Sequence, residues 1–475
     1  MNTENALERL ELPSGLDWVN TDAPPRLGGL HGRVVLLYFW TFDSVNCVNF
    51  LADVLFLENR HHDGLAVIGI HTPKYPAQGA SLLKAVNRHN LRHPIANDPE
   101  FLLWRELGLV AWPTAVLLDA QGQLAGIYTG EGRRQEIEKR IVELLDDATA
   151  HDRRVYETGP DALRAELRMP LAFPSRVLAT DQHLYIADTG HHRILETNHE
   201  GRILRQFGSG NAGYWDGRSL DSGLSSPQGL ALSRDILYFA DTGNHCVRRI
   251  RLASGDVETI VGTGKAGRDR PQEHPEPRTV NLCAPVDVAV NNENLYIAVA
   301  AQNQIWHLDL ARNQIGVLAG SGKFGLEDGE AAYASFAQPA AIAVLAGILL
   351  VADAAAGAVR AIRLSDRKVT TLLGVGPFEF GDAGGKRDTV RLQHPLGLCV
   401  DPRGLVFVAD SYNDKLKALN LKSGEVRAFN LKYRFSQPEG VSIGAGALWV
   451  ANTNLHEIVR VDLGTGACQR IPVGE

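Results

Sequence analysis

One phrase occurs six times in the second part of this 475-residue chain, and it constrains the possible fold more than any other feature. Each copy is an apolar strand that ends in Ala-Asp or a variant and runs into a polar turn. A shorter strand led by proline precedes each copy, as in FPSRV at 173 and SPQGL at 226. The copies are LYIADTGHHRI at 184–194, LYFADTGNHCV at 237–247, LYIAVAAQNQI at 295–305, LLVADAAAGAV at 349–359, VFVADSYNDKL at 406–416 and LWVANTNLHEI at 448–458.

These units recur every 40 to 60 residues, and each offers four short strands. A single four-stranded sheet cannot bury both faces, so such units stack against their neighbours around an axis. The pattern predicts a six-bladed β-propeller over residues 173–475. The last unit carries its own outer strand at 467–473, which gives no sign of a shared closing strand. Residues 149–172 are expected to be a linker, and the alternative is that they help to close the ring.

Residues 1–148 have a different pattern, in which strand and helix signals alternate. VVLLYFW at 34–40, LAVIGI at 65–70 and AVLLD at 115–119 are short apolar runs of the kind found in buried strands. Amphipathic stretches separate them, and a charged helix is predicted from about 134 to 145. The order β-α-β-α-α-β-β-α predicts a compact α/β domain with a mixed sheet.

The overall composition argues against several classes of partner. The net charge is −7, so no general positive field would attract nucleic acid or an anionic membrane. The chain shows no run of 18 apolar residues, and we expect no secretion signal. Its five cysteines are scattered and none has metal-ligand spacing, which is typical of a reducing compartment. We therefore expect a cytoplasmic protein.

Several recurring residues invite a cofactor or metal interpretation that a structural one explains better. Three loops between the repeats, beginning at 208, 262 and 320, match G-x-G-x-x-G. Each lies between β-strands and not in a βαβ unit, so turn geometry is expected and no cofactor. The aspartates that end the repeated strands are expected to accept backbone hydrogen bonds, not a metal. The pair His191 and His192 is expected in an exposed turn, and His71 either lines a pocket or lies in a solvated loop.

Four segments together resemble a known family. They are LDWVNT at 16–21, FWTFDSVNC at 39–47, WPTAVLLDAQG at 112–122 and the six downstream units with the A-D-T-G-N-H phrase. Nearly the whole chain is similar to the NHL-repeat-containing protein 2 family. The resemblance implies a thioredoxin-like domain over 1–148 joined to a six-bladed NHL propeller, with Trp40, Asn46, Trp112, Pro113 and Thr114 as substrate-binding positions. It also implies a cis peptide bond before Pro113.

The same resemblance shows where this chain departs from the oxidoreductase pattern. Thioredoxin-like oxidoreductases carry two cysteines separated by two residues at the start of a helix, and the first attacks while the second resolves. Here Ser44 stands in the first position and only Cys47 remains. A serine forms no disulfide, and Asp43 beside it would disfavour a nearby thiolate. Asp43 and Ser44 are also favoured residues for starting a helix.

Two functions follow as hypotheses. The first is a protein-interaction module without dithiol chemistry, whose propeller docks a protein partner. The second is a thiol-dependent oxidoreductase or redox sensor that uses Cys47 with a thiol from glutathione or a partner. Aromatic residues in or beside the long loops could form a recognition rim or seal adjoining blades; they are Tyr214, Trp215, Phe324, Tyr333, Phe336, Phe378 and Phe380.

Overall fold

A computed structural model describes residues 10–75, 79–151, 153, 169–268 and 275–474. The chain divides into two compact units, residues 1–167 and 168–475. Most of the predicted linker, 149–172, lies outside the described residues.

The first unit is built around one six-stranded mixed sheet with the order β1-β4-β3-β2-β5-β6. Strand β2 runs parallel to β3, and β3 runs parallel to β4, whereas β5 is antiparallel to β2 and β6. Every residue of β2 is buried, as its continuous apolar sequence predicts. The strands are Asp17–Val19 (β1), Val34–Trp40 (β2), Leu65–His71 (β3), Ile95–Asn97 (β4), Thr114–Leu118 (β5) and Leu124–Thr129 (β6).

Helices cover both faces of this sheet. They are Val45–Arg60 (α1), Gly79–Arg88 (α2), Leu102–Glu106 (α3) and Arg134–Ala150 (α4). Side chains of α1, α2 and α4 pack in one apolar cluster with the β2 residues Leu36, Tyr38 and Trp40. Leu103 of α3 packs on the opposite face with Phe39. Among the described residues, no helix is both long and apolar enough to cross a membrane.

The second unit consists of six antiparallel sheets of four consecutive strands each, which are the six predicted blades. Blades 1 and 2 comprise Arg176–Ala179 (β7), Leu184–Asp188 (β8), Arg193–Thr197 (β9), Ile203–Phe207 (β10), then Gly217–Arg218 (β11), Pro227–Ser233 (β12), Ile236–Asp241 (β13), Cys246–Arg251 (β14) and Asp256–Val261 (β15). Blades 3 and 4 comprise Pro285–Asn291 (β16), Asn294–Val299 (β17), Gln304–Asp309 (β18), Gln314–Ala319 (β19), then Gly329–Glu330 (β20), Pro339–Leu345 (β21), Ile348–Asp353 (β22), Ala358–Arg363 (β23) and Lys368–Leu373 (β24). Blades 5 and 6 comprise Gly385–Lys386 (β25), Gly397–Val400 (β26), Leu405–Asp410 (β27), Lys415–Asn420 (β28), Glu425–Ala428 (β29), Pro438–Gly444 (β30), Ala447–Asn452 (β31), Glu457–Asp462 (β32) and Cys468–Ile471 (β33).

Within the described residues, three blades have a short fifth strand. The loops that enter blades 2, 4 and 5 contribute β11, β20 and β25, each two residues long. These segments pair with the outermost strands β15, β24 and β29. The loop that leaves one blade therefore runs outward across the next blade before its chain turns back to the axis.

Hydrogen bonds from the repeated D-T-G-N-H phrase join blade 1 to blade 2 and blade 2 to blade 3. His192 Nδ1 accepts from the Ser226 amide at 3.0 Å, and His245 Nδ1 accepts from the Ala284 amide at 3.2 Å. These histidines adopt left-handed backbone angles after a short 3₁₀ turn. The predicted turn is confirmed for His191 and His192. The predicted exposure was wrong, because both residues are half-buried and the His192 ring reaches a backbone donor of the following blade.

The same contact closes the ring. His456 Nδ1 accepts from the Phe173 amide at 3.0 Å, and Thr453 Oγ1 donates to the Pro174 carbonyl at 2.8 Å. Blade 6 thus meets blade 1 through the link used at other junctions, and β7–β10 come from one continuous stretch of chain. In the described residues the ring is closed without a strand exchanged between the chain ends.

Candidate functional site

The turn before helix α1 is the position of the predicted redox motif, and here it is organised by Ser44. Ser44 is the N-cap residue of the helix, with extended backbone angles of φ −103° and ψ 116°. Its Oγ accepts a hydrogen bond from the Cys47 amide at 3.4 Å. Serine is favoured at this position because its oxygen satisfies one of the free N–H groups at a helix start. The prediction that Ser44 begins the helix is confirmed.

Cys47 faces the protein interior. Its side chain is fully buried, and Sγ accepts a long hydrogen bond of 3.5 Å from the Thr41 amide. Burial raises the pKa of the thiol to about 12, although the Thr41 and Ser44 contacts oppose this effect. All five cysteines are free thiols. Cys47 therefore packs in the core as a small apolar side chain.

Asp43 is also buried, with 5% of its surface exposed. Its carboxylate accepts a short hydrogen bond from the Thr41 hydroxyl. Burial raises the pKa of Asp43, whereas that hydrogen bond and the Lys74 ammonium lower it. Asp43 also contributes to the raised pKa of Cys47. Both burial and the Asp43 carboxylate therefore disfavour ionisation of the Cys47 thiol.

Trp40 and His71 lie side by side on β2 and β3, whose register pairs them. Both side chains are fully buried, and their ring centroids are 5.6 Å apart. Phe42 stacks on the His71 ring at 4.9 Å, and His71 Nδ1 lies 2.9 Å from Asn97 Oδ1. Burial lowers the pKa of His71 to about 4. The alternative of a solvated loop histidine is wrong, because β3 continues through His71 into the core.

The loop opposite the turn contains the expected cis peptide bond between Trp112 and Pro113. Trp112 Nε1 donates to Thr72 Oγ1 at 2.5 Å, and Thr114 Oγ1 donates to the Ala111 carbonyl at 2.7 Å. Pro113 and Thr114 are buried, whereas Trp112 is half-buried. Val110 is 85% exposed next to this loop.

The predicted site residues thus separate into two groups. Trp40 and Cys47 share one apolar cluster, against which the half-buried Phe42 and Trp112 pack. Ser44, Asn46 and Trp112 keep part of their surface in solvent. The sequence predictions did not include Phe42 or Val110, since an isolated apolar residue in a loop gives no signal of its environment. The Cys47 thiol is not part of the accessible surface.

In the propeller, the repeated acidic residues have a structural role, as predicted. Asp188, Asp241 and Asp353 each accept the backbone N–H of a residue sixteen positions earlier at 2.7 Å. Asn452 does the same for the Ser436 amide at 2.7 Å. Among the described residues, no group of three or more His, Cys, Asp or Glu side chains could hold a metal ion.

In three blades a buried basic residue forms an ion pair with the aspartate that ends the repeated strand. Arg248 is fully buried and contacts both Asp241 and Asp216 at 3.0 Å. Arg360 bridges Asp353 and Asp328 in blade 4, at 3.3 and 2.9 Å. Lys417 bridges Asp410 and Asp382 in blade 5 at 2.9 and 3.0 Å. Each cation holds the long loop that enters its blade against the blade's third strand.

The long loops combine glycine turns with aromatic side chains. Gly208 and Gly210 have φ values of +96° and +88°, and a Cβ on Gly208 would lie 2.8 Å from the His192 carbonyl oxygen. This turn geometry accounts for the G-x-G pattern. Phe336 is fully buried and seals adjoining blades, whereas Tyr333 is 78% and Phe378 83% exposed. The remaining exposed aromatics of these loops are Tyr214, Trp215 and Phe324.

Comparisons with known proteins agree with both units. The thioredoxin-like family matches residues 32–124, and the NHL repeat matches residues 392–417. NHL repeat-containing protein 2 from Gallus gallus is 34% identical over 98% of this chain and 71% of its own length. Protein SUPPRESSOR OF QUENCHING 1, chloroplastic, from Arabidopsis thaliana is 33% identical over 96% of this chain and 47% of its own length.

Solved propeller structures are more distant. Virginiamycin B lyase from Staphylococcus aureus aligns with a TM-score of 0.41 at 15% identity, over 65% of this chain and 86% of that one. The relatives, in contrast, match through both the thioredoxin-like unit and the propeller. The chain belongs to the NHL repeat-containing protein 2 family.

Proposed function

We propose that this chain is a protein-interaction module whose thioredoxin-like unit has lost dithiol exchange and whose propeller docks a protein partner. One observation carries the first half of this proposal. The oxygen of Ser44 caps helix α1 by accepting the Cys47 amide, in the place where an attacking sulfur would stand. The remaining thiol is fully buried, and its pKa is raised to about 12.

A disulfide-reduction assay tests this half. Wild type and Cys47→Ser should reduce a model disulfide at the same background rate, because the only cysteine in the turn is protonated and covered. A wild-type rate clearly above that of Cys47→Ser would instead support the alternative, a monothiol oxidoreductase or sensor. Adding glutathione to both proteins extends the assay to a thiol supplied from outside.

The second half concerns one end of the propeller. All loops from an outer strand to the next inner strand lie at the same end of the ring, because every blade runs in the same direction. Tyr333 and Phe378 project from two such loops into solvent. Arg387 of one loop lies 3.7 Å from Asp328 of the other, so these loops adjoin. Exposed aromatics on adjoining loops are typical of protein contact surfaces.

A paired variant tests this surface in the full chain. Tyr333→Ser with Phe378→Ser should leave the thermal midpoint unchanged, since both rings are exposed. Affinity capture should then lose at least one protein that wild type and a control, Val142→Ser on α4, both retain. Identical captured proteins for all three chains would contradict docking at this end of the propeller.

A cytoplasmic location is part of the same proposal. Five free thiols, three of them buried, suit a reducing compartment. Cell fractionation with an antibody to the chain tests it, and recovery in a membrane-bound organelle would contradict it.

A further inference from the structure

The axis of the propeller carries an arginine where neighbouring blades carry very small residues. A proline begins each inner strand or lies two residues before it, and the second residue after that proline differs between the blades. This residue is Arg176 in blade 1 and Asp287 in blade 3. The other four blades have Gly229, Ala341, Gly397 and Gly440.

The small residues are required by close contacts at this level. A Cβ on Gly397 would lie 2.0 Å from the Glu439 carbonyl oxygen, and one on Gly229 would lie 2.3 Å from the Asp287 Cα. A Cβ on Gly440 would lie 2.7 Å from the Arg176 Cα. The inner strands of neighbouring blades therefore approach each other backbone to backbone at these glycines.

The Arg176 guanidinium lies among the backbone carbonyls of these strands and donates from both terminal nitrogens. Nη1 donates to the carbonyls of Ser175 at 3.0 Å and Glu439 at 3.3 Å. Nη2 donates to those of Ala340 at 2.8 Å and Leu396 at 2.9 Å. These oxygens belong to blades 1, 6, 4 and 5. One planar group with five N–H donors thus ties four blades together.

A carboxylate from a fifth blade balances the charge. Asp287 Oδ1 lies 3.7 Å from Arg176 Nε, and its other oxygen accepts from the Ile342 amide at 2.9 Å. Burial raises the pKa of Asp287, and the Arg176 charge opposes that rise. Only 8% of Arg176 and 6% of Asp287 are exposed. A cavity of about 250 Å³, lined by the inner strands, reaches this pair.

Four carbonyls and one carboxylate are the ligand set that calcium prefers, since it binds six to eight oxygens in flexible geometry. We propose that the Arg176 guanidinium occupies, as a permanent cation, an axial site formed by oxygen ligands. The wild-type axis then binds no free metal ion. When Arg176 is removed, the same oxygens become a calcium site. The side chain then has two roles. It closes the axial cavity at this level, and it replaces a metal as the centre that joins five blades.

Thermal unfolding of the full chain in EDTA and in calcium chloride tests the proposal. Arg176→Gly copies the residue found in three other blades. In EDTA it should lower the propeller midpoint by roughly 10 °C, because Asp287 and the carbonyls lose their partner. Calcium should recover much of that loss, and magnesium less, because magnesium requires a tighter octahedral site. The wild-type midpoint should be the same in both buffers.

Two further variants keep the test decisive. Arg176→Gly with Asp287→Asn should show no recovery in calcium, since the carboxylate is gone. Arg176→Lys keeps the charge but lacks the planar fork, so its midpoint should fall between those of wild type and Arg176→Gly, without a calcium response. If Arg176→Gly yields no folded protein in EDTA, recovery of folded protein by calcium replaces the midpoint as the readout. A calcium-dependent wild type, or a lysine variant as stable as wild type, would overturn the proposal.

Discussion

The Ser44 oxygen lies 3.4 Å from the Cys47 amide nitrogen and accepts its hydrogen. These are the two positions that hold a pair of sulfurs in a dithiol turn. The cap satisfies a backbone donor at the start of helix α1 with an oxygen. Cys47 itself belongs to the apolar core of the thioredoxin-like unit.

Replacing Ser44→Cys should restore a reducible disulfide with Cys47. The N-cap side chain already reaches the third residue of the helix, which is the spacing of a C-x-x-C motif. After mild oxidation the variant should lose two titratable thiols, while wild type keeps all five. Ser44→Ala is the matched control, and it should lose about 1 kcal/mol of stability without any redox change. An unchanged thiol count in the cysteine variant would show that the two side chains diverge.

His71 should make the protein less stable in mild acid. The unfolded chain takes up this proton near pH 6.5, whereas the folded protein keeps the ring neutral to about pH 4. Between these values the unfolded state binds more protons than the folded state. The free energy of unfolding therefore decreases as the pH is lowered from about 6.5 to about 4, by up to about 3 kcal/mol. Urea unfolding of wild type and His71→Gln at several pH values measures the difference. Parallel pH profiles for the two proteins would contradict the prediction.

Replacing the buried cation of blade 2 should lower the stability of the folded protein. Replacing its acidic partner as well should restore part of that stability. Arg248→Met leaves the Asp241 carboxylate buried beside no cation, at a cost of about 3–5 kcal/mol. Burial already raises the pKa of Asp241 to about 6, and Arg248 opposes this. Adding Asp241→Asn should recover part of the stability in thermal unfolding, because Asn452 serves the same backbone donor in blade 6. No recovery would mean that lost packing and not charge sets the cost.

Breaking the closing contact should loosen the start of the first blade. His456→Ala leaves the Phe173 amide without its acceptor, which costs about 1–3 kcal/mol if the amide stays buried. Hydrogen exchange should rise in the peptide covering β7. His245→Ala removes the equivalent bond between blades 2 and 3 and should raise exchange near Ala284 instead. Unaltered exchange around Phe173 would show that other contacts suffice for closure.

Features that repeat in the sequence were predictable. The six proline-led units predicted six blades because each unit repeats the same strand pattern, and the recurring aspartates indicated a shared backbone contact. The cap at Ser44 followed from residue type and position. The strands β1 and β4 were missed because three residues are too few to show a period, and β1 is formed by pairing with β4.

Features that depend on distant partners were not predictable. His71 is buried because the parallel register of β2 and β3 places it beside Trp40. Arg176 resembles any strand residue within FPSRV. Its acceptors Ala340 and Glu439 are 164 and 263 positions away in the chain. The available signal was its departure from the glycine found at the same place in three other blades.

The four main strands of each blade are consecutive in the sequence. No sheet would be left incomplete if the termini were moved to another junction, so circular permutation should preserve the ring. By the same logic, a gene fusion ahead of the first blade removes nothing that the ring needs. An ancestral propeller could therefore acquire a new neighbour in a single recombination event.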